Sequence, residues 1–255
     1  DSSHLIITLT EFQRARGIKL SATPGGDGSP AFIHIFDSAF RDMATNFNPT
    51  LNDLHVKESN DVVNPAITSA ALDYNTGTLV LSVSETIDLL SNEKFDGQKM
   101  FLANRTGEES VALSEATVVV EEYATTVTIA LTETERIEGI KRSGTPGGDN
   151  SSVLLYFKAG AFIDIAQNPQ IEITGLYINE TADTTRPVFS SASINYGTGV
   201  LIVIFTETID ATPADLIRLG NIYLSEKSGS NDIQLAGAVT TALDGLAVTL
   251  TLTET

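Results

Sequence analysis

Apolar and polar residues alternate along much of this chain in short runs, the pattern of β-strands with one buried face. In TVTIALTE (126–133) and LAVTLTLT (246–253), threonine alternates with apolar residues. Two more such runs, 188–195 and 200–206, flank YGTG (196–199), a sequence that favours a β-hairpin turn. The same criteria predict further strands at 153–157, 171–178, 222–226 and 233–236.

Two short helices are predicted by their N-terminal capping signals. Thr132 is followed three residues later by Glu135, and Thr10 is followed by Gln13. This spacing allows the side chain of each threonine and its partner to bond reciprocally to the first turn, as in a capping box. The run GTPGG (144–148) would end the second helix.

Several motifs occur twice at a fixed separation of 122 residues. TPGGD at 23–27 recurs at 145–149, and LDYNTG at 72–77 is matched by INYGTG at 194–199. VSETID at 83–88 is likewise matched by FTETID at 205–210. Near the C-terminal end the separation becomes 121, because LTE at 131–133 recurs at 252–254. Self-similarity at a fixed period indicates tandem copies of one structural unit.

The repeat divides the chain into three parts. Residues 61–182 form a complete unit, preceded by the C-terminal half of a unit at 1–60 and followed by the N-terminal half of one at 183–255. We call these the leading segment (1–60), the complete unit (61–182) and the trailing segment (183–255). About seven predicted strands in a unit of this length indicate an all-β sandwich with one short helix.

Each half of a sandwich leaves apolar strand faces unpaired, so neither segment is expected to be stable alone. Two interpretations remain open. The chain is a window from a longer tandem array, or neighbouring copies complete one another head to tail. In the second case residues 1–11 would be a spare strand able to insert into a neighbour.

Three short motifs carry a family resemblance: DTTRP (183–187), FTETID (205–210) and DIAQNP (164–169). Their order and spacing resemble bacterial immunoglobulin-like domains of the kind found in S-layer proteins and large surface adhesins. The first copy departs from the pattern, with DVVNP at 61–65 and with Asn46 followed by Phe47, Asn48 and Pro49. The resemblance implies an immunoglobulin-like sandwich in an extracellular, non-catalytic spacer, often with calcium at the junctions between modules.

Charge narrows the classes of partner. The 255 residues include 33 acidic and 15 basic side chains, giving a net charge of -18. Nucleic acids and anionic membrane surfaces both require a basic footprint, so neither is an expected partner. The chain has no cysteine, which excludes disulfides and thiolate metal sites. Apolar runs such as VLIVIF (200–205) have the length of a strand and not of a membrane helix.

Catalysis is not expected. The histidines are His4, His34 and His55, and the complete unit contains none. A Ser-His-Asp or zinc-histidine site would therefore have to lie in half a unit. The TPGGD sequences lack the lysine of a phosphate-binding loop and follow a helix, so we interpret them as turns.

Acidic residues recur in register and are the candidate site. The linker, the end of the second strand and the loop before the last strand should meet at one pole of the sandwich, because successive strands alternate in direction. The residues placed there are Asp61, Glu85, Asp88, Asp164 and Asn168, and the next junction repeats Asp183, Glu207 and Asp210. Crowded carboxylates repel one another unless a cation is present, and Ca²⁺ accepts six to eight oxygen ligands. The alternative is that Asp and Asn cap turns through their own backbone.

The sequence therefore predicts a structural repeat module of a long extracellular filament, surface layer or adhesin stalk. Its expected partners are copies of itself or adjacent repeats, joined head to tail. The alternative is a cell-adhesion module that binds a ligand or glycan through exposed loops such as 221–232. A glycan-active enzyme is disfavoured because tryptophan is absent and the acidic residues recur in both copies.

Overall fold

A computed structural model describes residues 4–89, 94–104, 110–119, 123, 125–227 and 232–253. The chain forms two compact units, Asp1–Asp183 and Thr184–Thr255. The first unit contains the leading segment together with the complete unit. The second contains the trailing segment except for its first residue. Among the described residues, no helix is long and apolar enough to cross a membrane.

In residues 4–60 the leading segment contains one helix and one pair of strands: α1 Glu11–Lys19, β1 Phe32–Ile35 and β2 Leu51–His55. The predicted capping box begins α1, since Gln13 N donates to Thr10 Oγ1 and Thr10 N donates to Gln13 Oε1. β1 and β2 pair antiparallel, with an irregularity between Ile33 and Ile35. Two paired strands and a helix do not by themselves close a sandwich.

In its described residues, the complete unit contains eight strands and one α-helix. They are β3 Ile67–Asp73, β4 Thr78–Val83, β5 Met100–Ala103, β6 Ser110–Ala112, β7 Thr117–Val119, β8 Thr126–Ala130, α2 Glu133–Lys141, β9 Leu154–Phe157 and β10 Ile173–Thr181. A short 3-10 helix, Gly97–Lys99, precedes β5. The sequence predicted about seven strands. The additional one, β7, is a three-residue edge strand on β8, too short to give an alternation pattern of its own.

The two layers of the sandwich share one strand. Hydrogen bonds connect the strands in the order β6-β5-β9-β10-β3-β4-β8-β7. The first half of β10 pairs antiparallel with β9, and its second half pairs parallel with β3. Within the antiparallel half the register shifts around Gly175, whose φ of 89° is a left-handed conformation that glycine adopts without strain. The pairing partner changes from β9 to β3 between Tyr177 and Ile178. β10 therefore passes from one layer to the other, and the parallel pairing sends β3 and β10 in the same direction.

Both halves of the complete unit contribute to its core. Leu79, Leu81 and Ile129 come from the first half, while Phe157 and Phe162 come from the second, and all five are buried. Burying side chains of this size stabilises the fold by about 1.5–3 kcal/mol each. The two halves therefore depend on one another for most of their apolar burial.

The second compact unit repeats the first half of this sandwich. Its strands are β11 Phe189–Asn195, β12 Val200–Ile209, β13 Tyr223–Leu224, β14 Ile233–Gln234, β15 Val239–Thr240 and β16 Gly245–Thr251. β11, β12, β16 and β15 form one sheet, and β13 and β14 pair separately. Two 3-10 helices, Ala214–Leu216 and Leu219–Asn221, precede β13. Its buried core is small, comprising Leu201, Leu235, Val248 and Leu250.

The sequence-based fold class is confirmed: the chain is all-β, with the sandwich and one short capped helix in the complete unit. The hairpins at YNTG (74–77) and YGTG (196–199) join their strands in the same register, so that Asp73 faces Thr78 and Asn195 faces Val200. The loop predicted as an exposed binding loop, 221–232, contains β13. Its residues 228–231 lie outside the described part of the chain.

Candidate functional site

The loop before the last strand of each copy forms the same local turn. Asp164 accepts hydrogen bonds from Asn168 N at 2.7 Å and from Asn168 Nδ2 at 2.8 Å. In the leading segment, Asp42 accepts the same two bonds from Asn46 at 2.8 and 2.9 Å, although this loop is exposed. These bonds lower the pKa of the Asp42 carboxyl, because they favour its charged form. Turn capping thus accounts for this Asp–Asn pair without any ligand.

The predicted pole brings three carboxylates together. Asp61 in the linker, Glu85 after β4 and Asp164 each offer one oxygen, and these oxygens all lie within 4.8 Å of one another. Asn168 Nδ2 also donates to the Asp61 carbonyl at 3.3 Å. An isolated backbone bridge between Ile87 and Asp164 fixes the strand end against the loop. The alternation of strand direction was therefore sufficient to place these groups at one pole.

A helix arginine binds two of the three carboxylates. Arg14 Nη2 donates to Glu85 Oε2 at 2.8 Å, and Arg14 Nη1 donates to Asp61 Oδ2. Arg14 also forms a two-pronged pair with Glu11 on its own helix, at 2.8 Å for both contacts. Glu11 Oε1 in turn accepts from Thr86 N at 2.7 Å. Helix α1 of the leading segment is thus bonded to the linker and to the strand end of the complete unit.

Burial and charge act against each other at this pole. Burial raises the pKa of Glu85, Arg14 lowers it, and the nearby charges of Asp61 and Asp164 raise it again; the net shift is upward. Burial likewise raises the pKa of Asp164, against the hydrogen bonds from Asn168. For Glu11 burial is outweighed by the bonds from Arg14 and Thr86, which lower its pKa to about 2. The arginine therefore compensates the repulsion only in part.

Asp88 is neutralised separately by two lysines. Its buried carboxylate accepts from Lys94 Nζ and, at 3.5 Å, from Lys19 Nζ in the last turn of α1. Asp88 was predicted to join the carboxylate cluster. It does not belong to the group of Asp61, Glu85 and Asp164, and its partners are the two lysines. Helix α1 contributes a cation to each of the two acidic positions.

The glycine-rich turn of the leading segment also touches this pole. Gly25 has a φ of 87°, and a Cβ built on it would lie 1.8 Å from the carbonyl oxygen of Ile165. Only a residue without a side chain allows this approach. The TPGGD sequence is a turn, as predicted, and it is also a contact between the leading segment and the loop 164–168.

The arginine contact recurs one repeat later. Arg136 Nη1 donates to Asp183 Oδ2 at 2.5 Å and to the Tyr74 carbonyl at 2.9 Å. Its Nε and Nη2 donate to Glu133 at 2.7 and 2.9 Å. Glu133, Arg136 and Asp183 follow Glu11, Arg14 and Asp61 by 122 residues. The helix–linker ion pair is therefore a property of the repeat.

The other predicted members of the second junction are Glu207 and Asp210, which belong to the second compact unit. Asp210 Oδ1 accepts from Thr212 N at 3.3 Å, a local turn contact. The expected gathering of Asp183, Glu207 and Asp210 at one site stays a prediction.

The carboxylate oxygens at the first pole fit a cation, provided that the cation shares them with Arg14 or displaces it. Three carboxylates are close together, and among the described residues no donor reaches Glu85 Oε1, which is buried. Such oxygens are ligands that calcium prefers. The guanidinium of Arg14 already occupies the other oxygen of Glu85 and one of Asp61, so a metal ion would share these carboxylates with it or displace it.

Sequence reasoning found the acidic residues and missed their basic partners, Arg14 and Lys19. A signal was present, since both recur after 122 residues as Arg136 and Lys141. Recurrence of a basic residue in step with recurring acids would have indicated ion pairs.

Comparisons with known proteins give little further information. No protein-family model and no curated protein matches the chain. Among solved structures it is similar to two chains of a marsupial T cell receptor, both with a TM-score of 0.24. The first is 11% identical over 90% of this chain and 67% of its own, and the second is 8% identical over 88% and 63%. Similarity at this level carries no argument about function, and the sandwich architecture rests on the strand pairing described above.

Proposed function

We propose that this chain is a non-catalytic structural repeat module of a long extracellular filament, surface layer or adhesin stalk. The observation that carries the proposal is the ion pair between the helix of one repeat and the linker of the next. It occurs as Arg14 with Asp61 and again as Arg136 with Asp183. An enzyme needs its special groups once, whereas a rod needs its fastening at every junction.

The contacts at the first junction are suited to resisting bending. Arg14 joins the helix to the linker, Gly25 brings the preceding turn against the next loop, and Asn64 Nδ2 donates to the Pro169 carbonyl at 2.7 Å. A planar guanidinium with two acceptors fixes orientation as well as distance, which a single hydrogen bond does not. Three separate attachments at one linker favour a stiff connection.

Small-angle X-ray scattering tests this role. We expect the wild-type chain to give a narrow distribution of interatomic distances. Arg136→Gln removes the fork that binds Asp183 and should broaden the distribution of interatomic distances. Lys158→Gln, which removes an exposed cation of the complete unit that lies 5.0 Å from the centre of the Phe101 ring, is the matched control and should leave the curve unchanged. Equal scattering curves for all three proteins contradict the proposal.

We also propose that Asp61, Glu85 and Asp164 bind Ca²⁺, which competes with Arg14 for these carboxylates. An ion that binds only the folded state stabilises it by about 2.7 kcal/mol when its concentration is a hundredfold above the dissociation constant. The midpoint of thermal unfolding must then rise. Asp164→Asn keeps one of the two turn acceptors, the oxygen that binds Asn168 N, and removes one charged ligand, so its midpoint should respond to calcium much less than that of the wild type. Midpoints measured in chelator and in millimolar calcium, with magnesium as the control ion, decide the matter. Equal wild-type midpoints would leave Arg14 and the turn hydrogen bonds as the complete explanation of the cluster.

A further inference from the structure

The trailing segment exposes residues that the complete unit buries. Phe189 is 73% exposed, whereas Ile67, its counterpart 122 residues earlier, is 7% exposed. Tyr196 is 82% exposed, and its counterpart Tyr74 is fully buried. Between the layers of the second compact unit lies an open apolar cleft of about 480 Å³, lined in part by Phe189, Val203 and Ile217. This cleft is the interior of a sandwich with half of its core missing.

The leading segment exposes the opposite half. Phe40 is 43% exposed, while its counterpart Phe162 is fully buried and stacks on Phe95 at 5.5 Å between ring centroids. Phe95 corresponds to Ile217, which lines the open cleft. A second chain that placed Phe40 against Ile217 would therefore reproduce a contact already present within the complete unit.

Both surfaces already have the geometry of the complete unit. In the leading segment, Ile35 faces Leu51 and Ile33 faces Leu54 across an irregularity between Ile33 and Ile35. The corresponding pairs, Phe157 with Ile173 and Leu155 with Leu176, face each other around the same irregularity in β9 and β10. In the second compact unit, β11 and β12 keep the register and the irregularity of β3 and β4. Docking therefore requires little rearrangement of either surface.

We propose that the apolar face of Thr184–Thr255 is covered by the leading segment of a second copy of this chain, with residues 56–59, which follow β2, adding parallel to β11. The proposal rests on the structural role above and specifies its partner. The register follows from the pairing of β10 with β3, in which Ile178 faces Ala70 and Asn179 faces Ala71. Transposed by 122 residues, Val56 of one copy faces Ala192 of the other, and Lys57 faces Ser193.

A polar contact between the two copies should accompany this strand pairing. Within the complete unit, Tyr74 Oη donates to Glu180 Oε1 at 2.9 Å. The corresponding groups are Tyr196 of one copy and Glu58 of the other, and Tyr196 is exposed in the single chain. Residues 4–10 correspond to β8, as does β16, so a strand formed by them could compete with β16 for its place in the sheet. They form no strand in this structure. Each copy carries both surfaces, so the association is heterologous and extends into a filament unless it closes into a ring.

Cross-linking tests the register, because the chain has no cysteine to give background. One tagged chain carries Lys57→Cys and a second carries Ser193→Cys, so any disulfide joining them is intermolecular. These positions should lie about 4.8 Å apart in paired strands. Ser191→Cys, two residues along the same face, would lie about 8 Å away, beyond the usual limit for a disulfide. We expect the tagged heterodimer in the first mixture and at least about fivefold less in the second.

A second pair of variants tests the surface. Phe40→Asp on the Lys57→Cys chain should abolish the in-register cross-link without unfolding the chain, because Phe40 is already exposed. Val119→Asp, at an exposed apolar position of the complete unit, is the control and should leave the yield unchanged. Absence of the cross-link, or equal yields from both registers, overturns the proposal. The scattering of Arg136→Gln decides the structural role separately, since it concerns a contact within one chain.

Discussion

Phe162→Ala should lower the free energy of unfolding of the first compact unit by about 3–5 kcal/mol, whereas Phe40→Ala should cost less than about 1 kcal/mol. The two residues occupy the same position in successive copies, 122 residues apart. Phe162 is fully buried between Phe95 and Phe157, with ring centroids at 5.5 and 5.9 Å. Truncating it removes apolar area from the core and leaves a cavity, whereas Phe40 has no closed core around it.

Denaturant unfolding of both variants at low protein concentration measures the difference. The same substitution chemistry at equivalent positions makes each variant the control for the other. At high concentration the cost of Phe40→Ala should increase, because association with a second copy would bury that side chain. A cost for Phe40→Ala in dilute solution as large as that of Phe162→Ala would show that the leading segment is already covered within its own chain.

Local signals in the sequence were the most reliable guides to this fold. The capping boxes at Thr10 and Thr132 form as predicted, because both partners lie within one turn of helix. The hairpins form because YGTG-type turns fix the register between their strands. Alternating threonine and apolar residues in 126–133 and 246–253 correctly indicated β8 and β16, since their buried face requires a period of two.

The features that were missed depend on contacts between distant parts of the chain. β10 changes its pairing partner between Tyr177 and Ile178, two residues after the irregularity at Gly175, whose counterpart Asp53 has a φ of 57°. The alternation of apolar and polar residues along β10 does not indicate this change of pairing partner. Edge strand β7 is too short for a periodic signal.

The candidate site shows the same division. Topology alone placed Asp61, Glu85 and Asp164 together, because strand directions determine which ends meet. Their counter-charge comes from Arg14, which is 47 residues before Asp61 and 71 before Glu85. Charge repulsion among acids indicates that a cation is needed but does not identify its source. The first candidate should therefore be sought among basic residues that recur with the same period.

Replacing Arg14 by glutamine should destabilise the docking of the leading segment by about 2 kcal/mol at neutral pH. Breaking a buried ion pair typically costs about 3–5 kcal/mol, but one third of the Arg14 side chain is exposed and solvent screens part of the charge. Arg14→Lys keeps the charge without the fork and should lose less. Arg16→Gln, on the same helix, is the control, since the Arg16 guanidinium lies 5.4 Å from the centre of the Phe12 ring.

The cost of Arg14→Gln should depend on pH in a direction set by two carboxyls. The pKa of Glu11 is lowered from 4.5 to about 2, so the wild type gains stability from this group above pH 4.5 and loses it as the pH falls towards 2. The pKa of Glu85 is already raised, and losing Arg14 raises it further, so the variant is penalised at neutral pH and relieved as Glu85 protonates. Both effects make the difference between wild type and variant greatest near pH 7 and smallest near pH 3. Denaturant unfolding across this range measures it, and a difference that stayed constant with pH would mean that Arg14 acts by packing and not by charge.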